Sequence, residues 1–238
     1  MAIFEHGEAK LYYEVHGEGF PVLLIAPGGM RSSIPFWYNT PWNPIEQLSP
    51  HYQVIAMDQR NAGKSTGPIS GCDGWQLFAR DQVALLDHLG VDRFHVAGMC
   101  IGGPYIMGLI DAVPERVASG VIFQTIGLSD NRQAFLDLFD GWAEELKPAH
   151  PDVSADDWAK FRNAMFGGEF LFNVSEDFVR GCATPLLVFM GNDIYHPQES
   201  SRRLAELAPN VEFIEQWKEA PHMGPAMASM EAFLTRHT

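Results

Sequence analysis

The chain has 238 residues, 46% hydrophobic and 19% charged, which is ample for one sizeable core. With 16 basic against 30 acidic residues the formal charge is -14 and no Lys/Arg cluster stands out. Nucleic acid and anionic membrane surfaces are therefore poor partners, since both bind through basic patches, and the acidity reads as solubility.

Residues 1–10 are acidic and lack an apolar core, so they do not read as a secretory signal. Residues 11–16 alternate like an early strand. Residues 21–26 (PVLLIA) and 52–57 (YQVIAM) read as buried strands that stop at Pro27–Gly29 and at Asp58. A helix over 74–89 ends at Gly90, a strand follows over 94–97, and a second helix over 101–113 stops at Pro114. The strand pattern returns at 120–124, 185–190 and, more briefly, 211–214, with helices over 197–208 and 227–237. Continuous apolar strands alternating with helices imply an α/β protein with a mainly parallel sheet covered on both faces.

Between Gly127 and Gly181 the strand rhythm disappears, and 135–146, 155–165 and 175–180 look helical. An insertion there would lie over the carboxyl ends of the strands, where ligands bind in such sheets. We therefore expect a single domain over 1–238 with a short helical lid, residues 128–181, inserted in it. No repeat, low-complexity stretch or apolar run near the roughly 20 residues of a membrane span interrupts this plan.

The informative residues are Gly98-Met99-Cys100-Ile101-Gly102-Gly103, placed between a strand and a helix. A nucleophile elbow (G-x-S-x-G) requires its serine there, with glycines where side chains would clash. Here sulfur replaces oxygen, at a helix N-terminus that favours thiolate. A buried structural cysteine is the bland alternative. Asp193, after the strand PLLVFM, and His222, in Ala220-Pro221-His222-Met223-Gly224, follow in the order nucleophile, acid, histidine. Turn and loop roles are their ordinary alternatives. The third match, Asp58-Gln59-Arg60-Asn61-Ala62-Gly63-Lys64-Ser65, follows the strand YQVIAM; a P-loop would need glycine where Asp58 stands, so a nucleotide reading fails.

Together these motifs, from about Leu11 onward, resemble the α/β-hydrolase superfamily. The C-x-G-G elbow is similar to that of dienelactone hydrolases, and the D-x-R loop with Pro114-Glu115-Arg116 looks like the esterase and lactonase group. The resemblance implies an α/β-hydrolase fold, a Cys100–His222–Asp193 triad and a structural Asp58–Ser65 loop. It also implies an oxyanion hole from the amide of Ile101 and one from Gly28, Gly29 or Met30, with Gly29 favoured because Pro27 has no N–H. The expected chemistry is cleavage of an ester, thioester or lactone through a cysteinyl acyl-enzyme. Acyl transfer with the same triad, or a weakly catalytic binding protein, are the alternatives.

Met30, Trp37, Trp42, Met99, Phe166 and Phe170 are candidates for an apolar acyl pocket, although core packing is the commoner fate of such residues. His196 follows Asp193 by three positions, but an isolated D-x-x-H is a weak metal signal. Cys72 and Cys182 read as structural. The expectation is an enzyme without metal or cofactor, acting on a small acyl substrate in the cytoplasm. Its oligomeric state is left open, a homodimer included.

Overall fold

A computed structural model describes residues 2–40 and 42–238; of the N-terminal segment read above, Met1 lies outside the described residues. The strands are β1 (Ala2–His6), β2 (Ala9–His16), β3 (Phe20–Ile25), β4 (Tyr52–Met57), β5 (Phe94–Met99), β6 (Val117–Phe123), β7 (Leu186–Phe189) and β8 (Val211–Ile214). They form one sheet in the order β1-β2-β4-β3-β5-β6-β7-β8. The first two pairings, β1 with β2 and β2 with β4, are antiparallel, and the others are parallel. The mainly parallel sheet read from the sequence is therefore present. β1 was not anticipated: this edge strand is largely exposed, its apolar stretch is only Ala2-Ile3-Phe4, and it is held by pairing with β2 and by Phe4 stacked 4.5 Å from the His88 ring.

The helices are α1 (Pro44–Leu48), α2 (Trp75–His88), α3 (Gly102–Ala112), α4 (Arg132–Leu146), α5 (Ala155–Phe166), α6 (Glu176–Arg180), α7 (Gln198–Leu207) and α8 (Met223–His237). α8 starts four residues earlier than its apolar pattern suggests. Pro225 sits in its first turn, where a missing N–H costs no intrahelical bond.

Strand periodicity sorts the core into two layers. Leu23, Ile25, Ile55 and Met57 pack with α2 and α3 on one face, while Val22, Leu24, Val54 and Ala56 pack with α1 and α8 on the other. The parallel register aligns the strand ends, Ile25 with Met57 and Gly98, and Met99 with Phe123. Whatever follows β3, β4, β5, β6 and β7 thus meets along one edge.

Between β6 and β7 the chain leaves the sheet for α4, α5 and α6. This helical insertion rests on the loops after β3 and β4. Trp142 Nε1 donates to the Asn61 carbonyl at 3.2 Å, and Arg31 pairs with Glu145 at 2.7 Å. Among the described residues no helix is long and apolar enough to cross a membrane.

Candidate active site

Cys100 stands at the carboxyl end of β5 with a φ of +62°, a left-handed conformation that costs a non-glycine residue about 1 kcal/mol. The neighbouring glycines make the turn sterically feasible. A Cβ on Gly98 would lie 3.0 Å from Gly102 Cα, and one on Gly103 would lie 2.0 Å from Thr125 Oγ1. Backbone bonds from Cys100 N to the Phe123 carbonyl, 3.0 Å, and from Ile126 N to the Cys100 carbonyl, 3.1 Å, pin the turn to the chain leaving β6. The thiol is half-buried where the two core layers meet.

Two amides lie close enough to the sulfur to hold the thiol down, those of Ile101 and Gly28. Of Gly28, Gly29 and Met30, the residue whose amide acts on the sulfur is Gly28. Gly28 has a φ of +117° and lies against the Phe36 ring, which a Cβ would approach to 2.9 Å. Its loop is braced by the Asp58–Ser65 segment. Asp58 Oδ1 accepts from Ile34 N at 2.7 Å, Gln59 N donates to the Ser32 carbonyl at 3.0 Å, and Ser32 Oγ donates to the Ala26 carbonyl at 2.6 Å. Arg60 anchors the segment through a buried bidentate pair with Asp81, both contacts 2.7 Å. The structural role expected for this loop is what these bonds supply.

The histidine whose side chain acts on the Cys100 thiol is His196. Asp193 and His196 share one tight turn after β7, in which Asp193 Oδ1 accepts from the amides of Tyr195 and His196, each at 3.0 Å. Asp193 Oδ2 lies 2.8 Å from His196 Nδ1. The other ring nitrogen, Nε2, is buried and has no partner in good hydrogen-bond geometry; the titratable groups acting on the ring are Cys100 and Asp193. Burial pushes the Cys100 thiol up, but His196 and the two amides outweigh it and leave the thiol below its ordinary value. Burial pulls His196 down, and Cys100 and Asp193 outweigh that, raising it. Asp193 resists burial in the same way and is lowered, chiefly by His196. All three shifts favour a thiolate–imidazolium pair.

His222, expected as the histidine of the triad, is not brought into this cluster in the structure. The cause lies in the segment after β8. The Trp217 indole is buried and donates to the Met190 carbonyl at 2.9 Å, and the next residues turn outward, with His222 N donating to the Glu219 carbonyl at 2.8 Å. His222 therefore emerges exposed at the start of α8, beside a cavity of about 410 Å³ lined by Asn192, Trp217 and Lys218. Among the described residues no hydrogen bond joins it to Cys100 or Asp193, and no group of three or more potential metal ligands converges.

Residues 21–184 match the family described as the alpha/beta hydrolase fold. The chain belongs to that family. A protein named as a carbamate hydrolase, RutD, from Azorhizobium caulinodans is similar to this α/β hydrolase, with 44% identity over 113 residues. That stretch spans 48% of this chain and only 40% of the relative. A protein of the same name from Caulobacter sp. is 27% identical over 234 residues, covering 84% of this chain and 85% of its own. The solved enol-lactonase from Burkholderia xenovorans LB400 shares the fold, with a TM-score of 0.70 at 17% identity over 98% of this chain and 100% of its own.

The residues expected to form an acyl pocket in this α/β hydrolase are mostly in its core. Trp37, Trp42 and Met99 pack in the layer beneath α1 and α8, and Met30 and Phe166 in the opposite layer. Phe170 is half-buried and lines a separate cavity of about 720 Å³ with Leu128, Val174 and Arg203. Sequence reasoning overlooked His196 as a partner of the thiol. The available signal was D-x-x-H directly after a strand end, with Gly191 before it.

Proposed function

We propose that this α/β hydrolase cleaves an activated carbonyl through a cysteinyl acyl-enzyme on Cys100. The observation that carries the reading is the sulfur itself, held by a strained elbow with the Ile101 and Gly28 amides donating to it. A carbonyl carbon attacked by that sulfur would place its oxygen near the same two N–H groups. Preorganised donors at that position stabilise a tetrahedral oxyanion, and losing one typically costs about 10²–10³ in kcat.

The sequence of steps follows from sulfur chemistry. Thiolate adds to the carbonyl carbon, and the π electrons move onto oxygen between the two amides. Collapse of the intermediate expels the leaving group, which takes up a proton, and leaves an acyl-thioester on Cys100. Water then adds to the thioester, the acid departs and the thiol is restored. Thiolate is a better leaving group than an amine, so esters, thioesters and lactones are the natural substrates. The RutD-named relatives support adding a carbamate carbonyl to this class, with a carbamoyl-thioester as the intermediate.

The test is hydrolysis of p-nitrophenyl acetate and butyrate by wild type, Cys100→Ala and Cys100→Ser, with mass spectrometry of the quenched protein. A mass increase of one acyl group on Cys100, and loss of turnover in Cys100→Ala, is the expected result. Equal rates in all three proteins without an adduct would overturn the proposal.

A further inference from the structure

We propose that the general base of this enzyme is His196, carried with its orienting acid Asp193 on one four-residue turn, and that His222 takes no part in the chemistry. This rests on Cys100 being the nucleophile and goes beyond it, because the order nucleophile, acid, histidine is satisfied by His196 and by His222 alike and does not choose between them.

The turn is built as a self-contained unit. Main-chain bonds run both ways between its ends, Asp193 N to the His196 carbonyl at 3.3 Å and His196 N to the Asp193 carbonyl at 3.1 Å. With Asp193 Oδ2 at 2.8 Å, His196 Nδ1 keeps its proton in either charge state, so Nε2 is the nitrogen left to take up and release the thiol proton. Among the described residues that nitrogen is buried without a partner in good geometry, an arrangement that costs stability and calls for an explanation such as a catalytic role. Asp193 in turn spends three acceptor positions within the turn, two on Oδ1 for the amides and one on Oδ2 for the His196 ring.

The surroundings allow the turn little freedom. A Cβ on Gly191 would lie 2.3 Å from the His196 carbonyl oxygen and 2.6 Å from His196 Cβ, so glycine is required for the histidine to pack there. The Gly191 amide is held by Ser201 Oγ at 3.1 Å, and the Ile194 carbonyl by Asn131 Nδ2 at 2.7 Å. Among the described residues no side-chain hydrogen bond frames His222, which is exposed at the start of α8.

Proton movement then closes around one nitrogen. As Sγ bonds to the carbonyl carbon, Nε2 holds the thiol proton, and it passes that proton to the departing oxygen or nitrogen. In the second half Nε2 takes a proton from the water that attacks the thioester. As the C–S bond breaks, that proton returns to sulfur. Throughout, Asp193 keeps the Nδ1 proton in place and supports the imidazolium.

Turnover of p-nitrophenyl acetate and the pH dependence of Cys100 alkylation by iodoacetamide are measured in wild type, His196→Gln, His222→Gln and Cys100→Ala, each checked by its melting curve. We expect His222→Gln to stay within about twofold of wild type on both readouts. His196→Gln should lose about 10²–10⁴ in turnover and need a higher pH for alkylation. Turnover lost in His222→Gln, or kept in His196→Gln, would overturn the proposal while leaving the nucleophile intact. Turnover kept in Cys100→Ala would instead remove the nucleophile on which it rests. Should His196→Gln not fold, His222→Gln decides, since loss of its turnover refutes the assignment and retention supports it.

Discussion

A cysteine in a left-handed turn, with two amides and an imidazole directed at its sulfur, is a different reagent from a cysteine in a core. Cys182 makes the comparison within the same chain. It is buried, its sulfur is 3.9 Å from the Thr184 carbonyl oxygen, and burial pushes its thiol up. For Cys100 the opposing contributions win and the thiol is lowered. A lowered value means that thiolate persists to lower pH, so the two sites should separate when the folded protein is alkylated. Iodoacetamide at pH 7, followed by peptide mass spectrometry, should modify Cys100 well before Cys182, and the rate at Cys100 should rise at a lower pH than for an ordinary thiol. Equal labelling would contradict the environment described for Cys100.

The Asp193–His196 turn does not stand alone; it is fastened to the helical insertion. Asn131, at the N-terminus of α4, donates to the Ile194 carbonyl at 2.7 Å and to the Gly127 carbonyl at 3.1 Å, and accepts from Ser129 N at 2.9 Å. On the same side the Tyr195 ring meets Phe135 of α4 edge-on, 6.0 Å between centroids. The position of α4 and that of His196 are thereby coupled through two adjacent residues. Replacing Asn131 with Ala leaves the buried end of this clamp unsatisfied, at a cost of about 1–3 kcal/mol. Turnover of p-nitrophenyl acetate should fall by about tenfold to a hundredfold, because a shift of about 1 Å in a catalytic group is enough for that. Cys100 alkylation should also require a higher pH. A variant with a lowered melting temperature but unchanged turnover and alkylation profile would show that the clamp serves stability alone.

Over the whole molecule, the two core layers place one histidine where it cannot easily ionise. His95 lies in β5 between the layers, fully buried, with Nδ1 2.8 Å from Ser119 Oγ, Nε2 3.2 Å from Thr238 Oγ1, and the Phe20 ring 4.7 Å away. Burial, with smaller contributions from Arg93 and His237, lowers it to about 4. The folded state therefore refuses a proton that the unfolded chain accepts below its ordinary value of 6.5. The stability is fully present above that value and is lost as pH falls toward about 4, by an amount on the order of 3 kcal/mol. Urea denaturation at pH 7 and pH 4.5 should show a smaller loss of stability in His95→Gln than in wild type. An identical loss in both proteins would mean that His95 does not drive it.

What the sequence determined by itself was local. Strand runs such as PLLVFM and YQVIAM announce the parallel sheet because buried strands must be apolar along their length. The glycines around Cys100 announce the elbow because a left-handed residue between packed elements leaves no room for side chains. The order of nucleophile, acid and histidine was equally legible, but order is topological and says nothing of distance. His196 and His222 both satisfy it, and only the packing of Trp217 and the tight turn after Gly191 bring the first to the sulfur and carry the second away. Which amide after β3 comes close to the sulfur is likewise a matter of tertiary structure: the loop bends against Phe36 and the Asp58 segment and brings Gly28 there. Apolar character alone could not assign Met30, Trp37, Met99 and Phe166 to a pocket, since core and pocket draw on the same residues and only the neighbouring chain distinguishes them.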